Sequence, residues 1–250
     1  MIPISLQLYT LRDRAATDFF GVLKDVAAIG YVGVETAGLG GKSPKEVRKV
    51  CDDLGLVVSS SHTAVPTKGN LSELVDTARA LGCSDLVSGL GPDDFKTADT
   101  IRAGAAKFAA AAELLVPYGL RLGYHNHWWE FDLVEGRYGY SWFFEQAAGV
   151  FSELDVYWAC NFGKVDVPMV LTACGDNIPL LHVKDGPLVQ GQPHTASGAG
   201  KMNLPAILVA AGPQVRWLVV ELDECATDMT AAVAESYQYL TANGLAMGRC

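Results

Sequence analysis

The sequence predicts an α/β protein, a single (β/α)8 TIM barrel over residues 1–250. Three observations carry that expectation. Eight short apolar stretches alternate with eight helical patterns, the helices repeatedly stop at a glycine just before the next strand (Gly30, Gly55, Gly82, Gly119), and no shift in composition marks a linker. Alternation of strand and helix implies parallel pairing through right-handed crossovers. Eight such units in 250 residues suit a closed barrel better than an open sheet.

The elements follow in order. Residues 3–9 read as the first strand, with Gln7 and Tyr9 on one face by period-two alternation. Asp18 opens a helical pattern (Phe19, Phe20, Val22, Leu23, Val26) that stops at Gly30. Residues 31–35 form the second strand. Ser43, Pro44 and Glu46 supply an N-cap, an N1 proline and a capping box for a helix through Leu54, and Gly55 ends it. Strand three spans 56–61 and runs into His62; a helix over 71–81 and Gly82 lead to strand four at 85–88. A long Ala-rich helix covers 97–118, and strand five begins after Gly119 and opens into Tyr124-His125-Asn126-His127-Trp128-Trp129-Glu130-Phe131. A helix over 140–148 precedes strand six at 153–157. A helix over 165–173 precedes strand seven at 178–183. Residues 185–202, rich in Gly, Pro and Ser, read as a loop. A helix over 204–211, strand eight at 217–221 and a helix over 228–242 complete the count.

Composition narrows the function. Half the residues are hydrophobic, enough for a large core, and the net charge of -9 argues against a surface that tracks nucleic-acid phosphates. The six cysteines are scattered without a C-x-x-C pair, which fits reduced thiols of an intracellular, cytoplasmic protein, with Cys250 a free thiol at the end. No signal peptide and no stretch long enough to cross a membrane is read.

The chemistry sits at strand ends. Strand five leads into two imidazoles, an amide and a carboxylate; strands six, seven and eight end in Asp155, His182 and Glu221. Burying such groups is costly unless they bind something, and the C-terminal rim is where barrels of this kind carry their sites. Glu130, Asp155, His182 and Glu221 would make a mixed oxygen and nitrogen set for one divalent ion. That set suits Mn, Mg or Co, with Zn or Fe compatible. Glu130 lies beyond the strand proper, so alternation does not fix its direction, and His127 is the nearest substitute. Open positions on such an ion would take two oxygens of a hydroxy-ketone and stabilise the enediolate left by proton removal. Glu130 and Glu221 are then the natural pair to move the proton on opposite faces. Lys184 shares the face of His182 by alternation. Each residue alone has a bland reading: Glu221 and Asp155 as strand-end acids, His182 as a packed histidine. Their order along four consecutive strands favours the functional one. Trp128, Trp129, Trp142 and Trp158 are read equally as core packing, a sugar-stacking platform or a dimer contact. His125 and His194 read as packing and loop residues.

The chain resembles the sugar isomerase/epimerase group of xylose isomerase-like TIM barrels, a group related to inosose dehydratases and ketose 3-epimerases. The matching segments run nearly end to end: Leu6-Gln7-Leu8-Tyr9-Thr10-Leu11-Arg12, Gly33-Val34-Glu35, Ser61-His62, 125–131, 154–158, His182-Val183-Lys184-Asp185, Gly198-Ala199-Gly200 and Val220-Glu221. The resemblance implies one metal ion on Glu130, Asp155, His182 and Glu221, with the two glutamates as acid and base. It also implies contacts from His62, Lys184, Glu35 and Asn126 to sugar hydroxyls. The chain departs from the group at Asn161–Pro168, where a Gly-x-Asp-Pro turn is usual.

The expected function is therefore divalent-metal-dependent isomerisation or epimerisation of a sugar or keto-sugar. The alternatives are a metal-dependent dehydratase or lyase acting on a keto-sugar or keto-inositol, and a non-catalytic sugar-binding homologue. An apurinic endonuclease, which shares this barrel, is disfavoured by the charge. The expected partner is a small-molecule sugar, with no nucleic acid and no membrane; homo-oligomerisation stays open.

Overall fold

A computed structural model describes residues 1–249; Cys250, read above as a free thiol, lies outside the described residues. Eight parallel strands close into a barrel: β1 (Ile4–Gln7), β2 (Gly33–Ala37), β3 (Val57–His62), β4 (Asp85–Ser88), β5 (Arg121–His125), β6 (Val150–Asp155), β7 (Leu180–Val183) and β8 (Trp217–Val220). Each strand pairs with its sequence neighbours, and β8 closes on β1. The predicted TIM barrel is the observed fold.

Period-two alternation sorts the side chains. Leu6, Val34, Leu154, Leu181, Val183, Leu218 and Val220 are buried in one cluster with Val22, Val26, Val47 and Leu204 of the surrounding helices. The residues between them face the barrel axis. There Phe151 and Leu180 pack with Val87 and Trp217 at the lower end, and the ring of Phe151 fills the space beside Gly123, where an added Cβ would stand 2.3 Å from it. Above this plug the interior turns polar, with Gln7, Glu35, Glu153, Asp155 and His182 all essentially inaccessible to solvent.

Local chemistry explains most element ends. Ser43 and Glu46 form the capping box of the helix Pro44–Leu54, which stops at Gly55 in the left-handed conformation (φ 62°) that glycine adopts without steric cost. The helix Leu71–Leu81 stops the same way at Gly82.

Several expectations need correcting. The first helix spans Arg12–Ile29 and breaks at Asp18 (φ -141°), whose Oδ1 accepts from the Gly21 N–H. The predicted start at Asp18 is thus a real cap inside a longer element. The helix expected over 140–148 is Gly139–Phe144. It follows a two-residue ribbon, Leu133–Val134 with Arg137–Tyr138, turned by Glu135 and Gly136, both at positive φ. The sixth strand begins at Val150 and ends at Asp155, so Tyr157 and Trp158 belong to a short helix, Val156–Ala159, started by Asp155: its Oδ1 accepts from the Trp158 N–H at 2.9 Å. The acceptor side chain drew the chain out of the strand two residues early.

The loop 185–202 is organised by a buried carboxylate. Asp185 accepts from the backbone N–H groups of Gly186, Gly198, Gly200 and Met202. This accounts for the Gly198-Ala199-Gly200 segment: an added Cβ on Gly200 would meet Asp185 Oδ1 at 2.1 Å. Among the described residues, no helix is long and apolar enough to cross a membrane.

Candidate metal centre

Four inward-facing side chains meet at the upper end of the barrel. His125 closes β5, Asp155 closes β6, His182 lies in β7, and Glu221 directly follows β8; the register places Asp155 directly beside His182. One ligand atom from each lies within 4.8 Å of the others, and all four residues are buried. His125 Nε2 stands 3.4 Å from Asp155 Oδ2, and His182 Nδ1 stands 2.8 Å from Glu221 Oε2. Neither His125 Nε2 nor Asp155 Oδ2 has a hydrogen-bond partner, although the Lys184 ammonium is 3.0 Å from the Asp155 oxygen. Two unpartnered buried ligand atoms facing each other are what a cation would satisfy. The donor set therefore fits a divalent ion.

The other nitrogen of His182 is held from below. Its Nε2 stands 2.7 Å from Glu35 Oε1 and 3.1 Å from Glu153 Oε2. Glu35 also accepts from Gln7 Nε2 at 2.6 Å and from the Ser60 hydroxyl. His62 Nε2 joins the same carboxylates, 2.6 Å from Glu153 and 3.2 Å from Glu35. A ligating imidazole whose second nitrogen is fixed by carboxylates keeps its ring orientation and tautomer.

Burial alone would push the glutamate and aspartate values up, but the facing cations win. Glu35 is held well below the usual range by His62 and His182, and Glu221 by Lys184 and His182. Asp155 is lowered by Lys184 and His125. Burial opposes charge on the bases too, yet Glu35 and Glu153 raise His62 to about 10, and Glu153, Glu35 and Glu221 lift His182 well above its ordinary value. Lys184 is buried against three carboxylates, Asp155 at 3.0 Å, Glu221 at 2.8 Å and Asp223 at 2.8 Å, which hold it charged. An imidazole that binds a metal is neutral; with His182 counted so, Glu35, Glu153, Asp155, Glu221 and Asp223 outnumber Lys184 and His62 by three at formal charges, which leaves room for a dication.

The structure brings together three of the four expected ligands, Asp155, His182 and Glu221. It does not bring Glu130 to them. Glu130 is fully buried in the turn after β5, where Oε1 accepts from the Tyr124 hydroxyl at 2.7 Å and Oε2 from the His127 N–H at 2.9 Å. Burial raises it to about 8 despite those two donors. Its carboxyl anchors the turn, and His125, one strand residue that alternation from Gly123 points inward, stands where the fifth-strand ligand was expected. His127 does not replace it: it stacks on Trp129 (4.2 Å between ring centres, 11° between planes), and burial keeps it neutral, at about 3.

The expected sugar-contacting residues divide. A cavity of about 280 Å³ at the mouth is lined by Tyr9, Ala37, His62, Gly89, His125, His127, Glu221 and Asp223. His62 and Glu221 thus reach it. Glu35 lies beneath, enclosed by Gln7, Ser60 and the two histidines, and Lys184 is pinned among its carboxylates. Asn126 has no free amide: Oδ1 accepts from the Asp155 N–H at 2.9 Å, and Nδ2 donates to the carbonyls of Asp155 and His127. It ties the end of β5 to that of β6 and so positions Asp155. Sequence reasoning missed His125, Glu153 and Asp223. Alternation within the expected strand 153–157 already puts Glu153 on the face of Asp155, but attention to strand ends alone leaves it out.

The value of Glu130 carries a sign that can be tested. The folded chain keeps its proton where the unfolded chain, near 4.5, has released it. The stability from this group is complete below about 4.5 and is lost as pH rises through about 8. Wild type should therefore lose thermal stability relative to Glu130→Gln as pH rises across that window. A melting-temperature difference that does not change with pH would show that Glu130 ionises normally in the native state.

The closed barrel defines the fold class, one shared with solved sugar isomerase/epimerase and xylose isomerase-like TIM barrel structures. Among solved structures, a sugar phosphate isomerase/epimerase from Parabacteroides distasonis ATCC 8503 superposes with a TM-score of 0.83 at 26% identity, covering 98% of this chain and 96% of that one. An L-ribulose 3-epimerase gives 0.75 at 18% identity over 98% and 95% of the two chains. The IOLI protein, solved with a zinc atom, gives 0.73 at 12% identity over 98% of each. The last two likenesses are of fold. Neither a family model nor a curated protein sequence matches the chain.

Proposed function

We propose that the protein is a metal-dependent isomerase or epimerase of a sugar or keto-sugar, with His125, Asp155, His182 and Glu221 holding one divalent ion. The observation that carries the reading is the pair of unpartnered buried ligand atoms, His125 Nε2 and Asp155 Oδ2, set beside His182 and Glu221 at the floor of an open cavity. Similarity to sugar isomerases and epimerases supports it. The ion would polarise a substrate carbonyl and offset negative charge developing on the sugar oxygens.

The chain's own groups supply the rest. Glu221 is the carboxylate that both belongs to the centre and lines the cavity, so it is the group to take a proton from the carbon next to the carbonyl. Lys184, 2.8 Å from its Oε2, keeps it ionised and ready to accept. With Glu130 turned into the protein, the two-glutamate pair is replaced by one glutamate. A single base that removes and returns the proton on one face gives isomerisation. Inversion needs a second donor, and His62, three strands away around the rim and charged, is the lining residue suited to that part. Gln7, Glu35 and Glu153 keep His182 oriented, and Asn126 holds the Asp155 backbone.

The test has two arms. Metal analysis of the purified protein should find about one tightly held ion per chain, and chelation should abolish activity that Mn²⁺ or Co²⁺ restores. A panel of free ketoses and aldoses in D₂O should then show deuterium entering at one carbon. Full activity without metal refutes the proposal, and an unsaturated ketone in place of labelled sugar would make the enzyme a lyase.

A further inference from the structure

Beneath the candidate centre a second set of ligand atoms converges. Glu35 of β2, His62 at the end of β3, Glu153 of β6 and His182 of β7 each offer one, and the four lie within 4.8 Å of one another. Their contacts close a ring. His62 Nε2 stands 2.6 Å from Glu153 Oε2, which is 3.1 Å from His182 Nε2. That nitrogen is 2.7 Å from Glu35 Oε1, which is 3.2 Å from His62 Nε2. Sides of about 2.9 Å hold the middle of such a ring about 2 Å from each corner, the length of a bond from zinc to an imidazole nitrogen or a carboxylate oxygen.

Hydrogen bonds alone leave this ring incomplete. Glu153 is fully buried, and its Oε1 has no hydrogen-bond partner. Because the other oxygen of that carboxylate is a corner of the ring, an ion held through both oxygens would satisfy it. Charge is short as well. With His182 Nδ1 serving the ion above, its imidazole is neutral, and the buried carboxyl groups of Glu35 and Glu153 are left facing one cation, His62. An ion also has a way in. The His62 side chain is 24% exposed and lines the mouth cavity, whereas Glu35, Glu153 and His182 are closed off behind it.

We propose that Glu35, His62, Glu153 and His182 form a second cation site, selective for Zn²⁺, which the His182 imidazole bridges to the centre above. The inference rests on the proposed metal centre for its first ion and shares only His182 with it. Zinc accepts four nitrogen and oxygen ligands in a closed site, and a mixed site of this kind binds Zn²⁺ more tightly than Mn²⁺. Mg²⁺ demands near-octahedral coordination and keeps several waters, which a ring of four buried side chains does not provide. The second ion displaces the N–H protons that the imidazoles share with the carboxylates, so it binds more weakly than the first. Its filling joins His62 and His182 into one rigid floor beneath the mouth.

The test strips the full-length protein of ions and titrates it with Mn²⁺ or Zn²⁺ by calorimetry, with ion content per chain measured on the same samples. Mn²⁺ should load about one ion per chain and Zn²⁺ about two, the second at least about tenfold more weakly. His62→Asn and Glu153→Gln should each hold one Zn²⁺ and still take one Mn²⁺. Circular dichroism shows that each variant is folded, and the partly exposed His62 provides a substitution that spares the core should the change at buried Glu153 unfold the chain. Asp155→Asn, which disables the upper centre, should keep one Zn²⁺ and take no Mn²⁺. One Zn²⁺ per wild-type chain, or two that survive in both His62→Asn and Glu153→Gln, overturns the proposal. The two readings fail differently. Wild type that takes no Mn²⁺ but holds one Zn²⁺, lost in His62→Asn, defeats the upper centre and upholds the lower. A single ion of either kind, lost in Asp155→Asn and kept in His62→Asn, defeats the lower site alone, and wild type that binds neither ion defeats both.

Discussion

Asp155→Asn is expected to empty the centre and remove at least about 10³ of kcat/KM, equivalent to about 4 kcal/mol of transition-state stabilisation. The carboxylate supplies an unpartnered buried oxygen to the ligand group and faces Lys184 at 3.0 Å. An amide carries no charge and is a far weaker ligand for a hard cation. The same substitution should spare the fold, because Asn still accepts the Trp158 N–H that Asp155 Oδ1 takes at 2.9 Å to start the short helix. Metal analysis, far-UV circular dichroism and steady-state kinetics on one preparation check it. Retained ion and activity in Asp155→Asn would remove the residue from the centre.

A second pair of variants separates the two candidates from the fifth strand. His125→Ala should cut metal affinity by two orders of magnitude or more, since it deletes one of four ligands. It costs the fold little hydrogen bonding, as the Nε2 it removes has no partner. Glu130→Gln should leave ion content at wild-type level. Its cost should be structural, about 1–3 kcal/mol for disturbing a buried site that accepts from the Tyr124 hydroxyl and the His127 N–H. Isothermal titration with Mn²⁺ and thermal melts decide between them. The opposite outcome, Mn²⁺ lost with Glu130→Gln and kept with His125→Ala, would return the role to Glu130.

How much of this was legible in the sequence follows from the range of each signal. Gly55 and Gly82 ended helices where expected, because a left-handed C-terminal residue is set by the chain's own backbone. The sixth strand starts three residues before the expected Glu153 because Val150 and Phe151 resemble the preceding apolar stretch; Glu153 lies in both versions on the face of Asp155, and weighing strand-end residues alone leaves it out. Glu130 was misplaced for a different reason. It follows a strand without belonging to it, and in a turn the direction of a side chain is chosen by whichever donors lie nearby, here a tyrosine hydroxyl and a backbone N–H.

The sequence by itself determined the barrel, through eight alternating units, and the placement of Asp155, His182 and Glu221 at successive strand ends, through alternation within each strand. Only the tertiary structure decided which side chains share a space. Closing β8 onto β1 brings Glu35 of β2 within 2.7 Å of His182, 147 residues away, and the register of β5 turns His125 inward. The physical reason is that periodicity acts over a few residues, whereas a buried charge is stable only beside partners that the whole fold delivers.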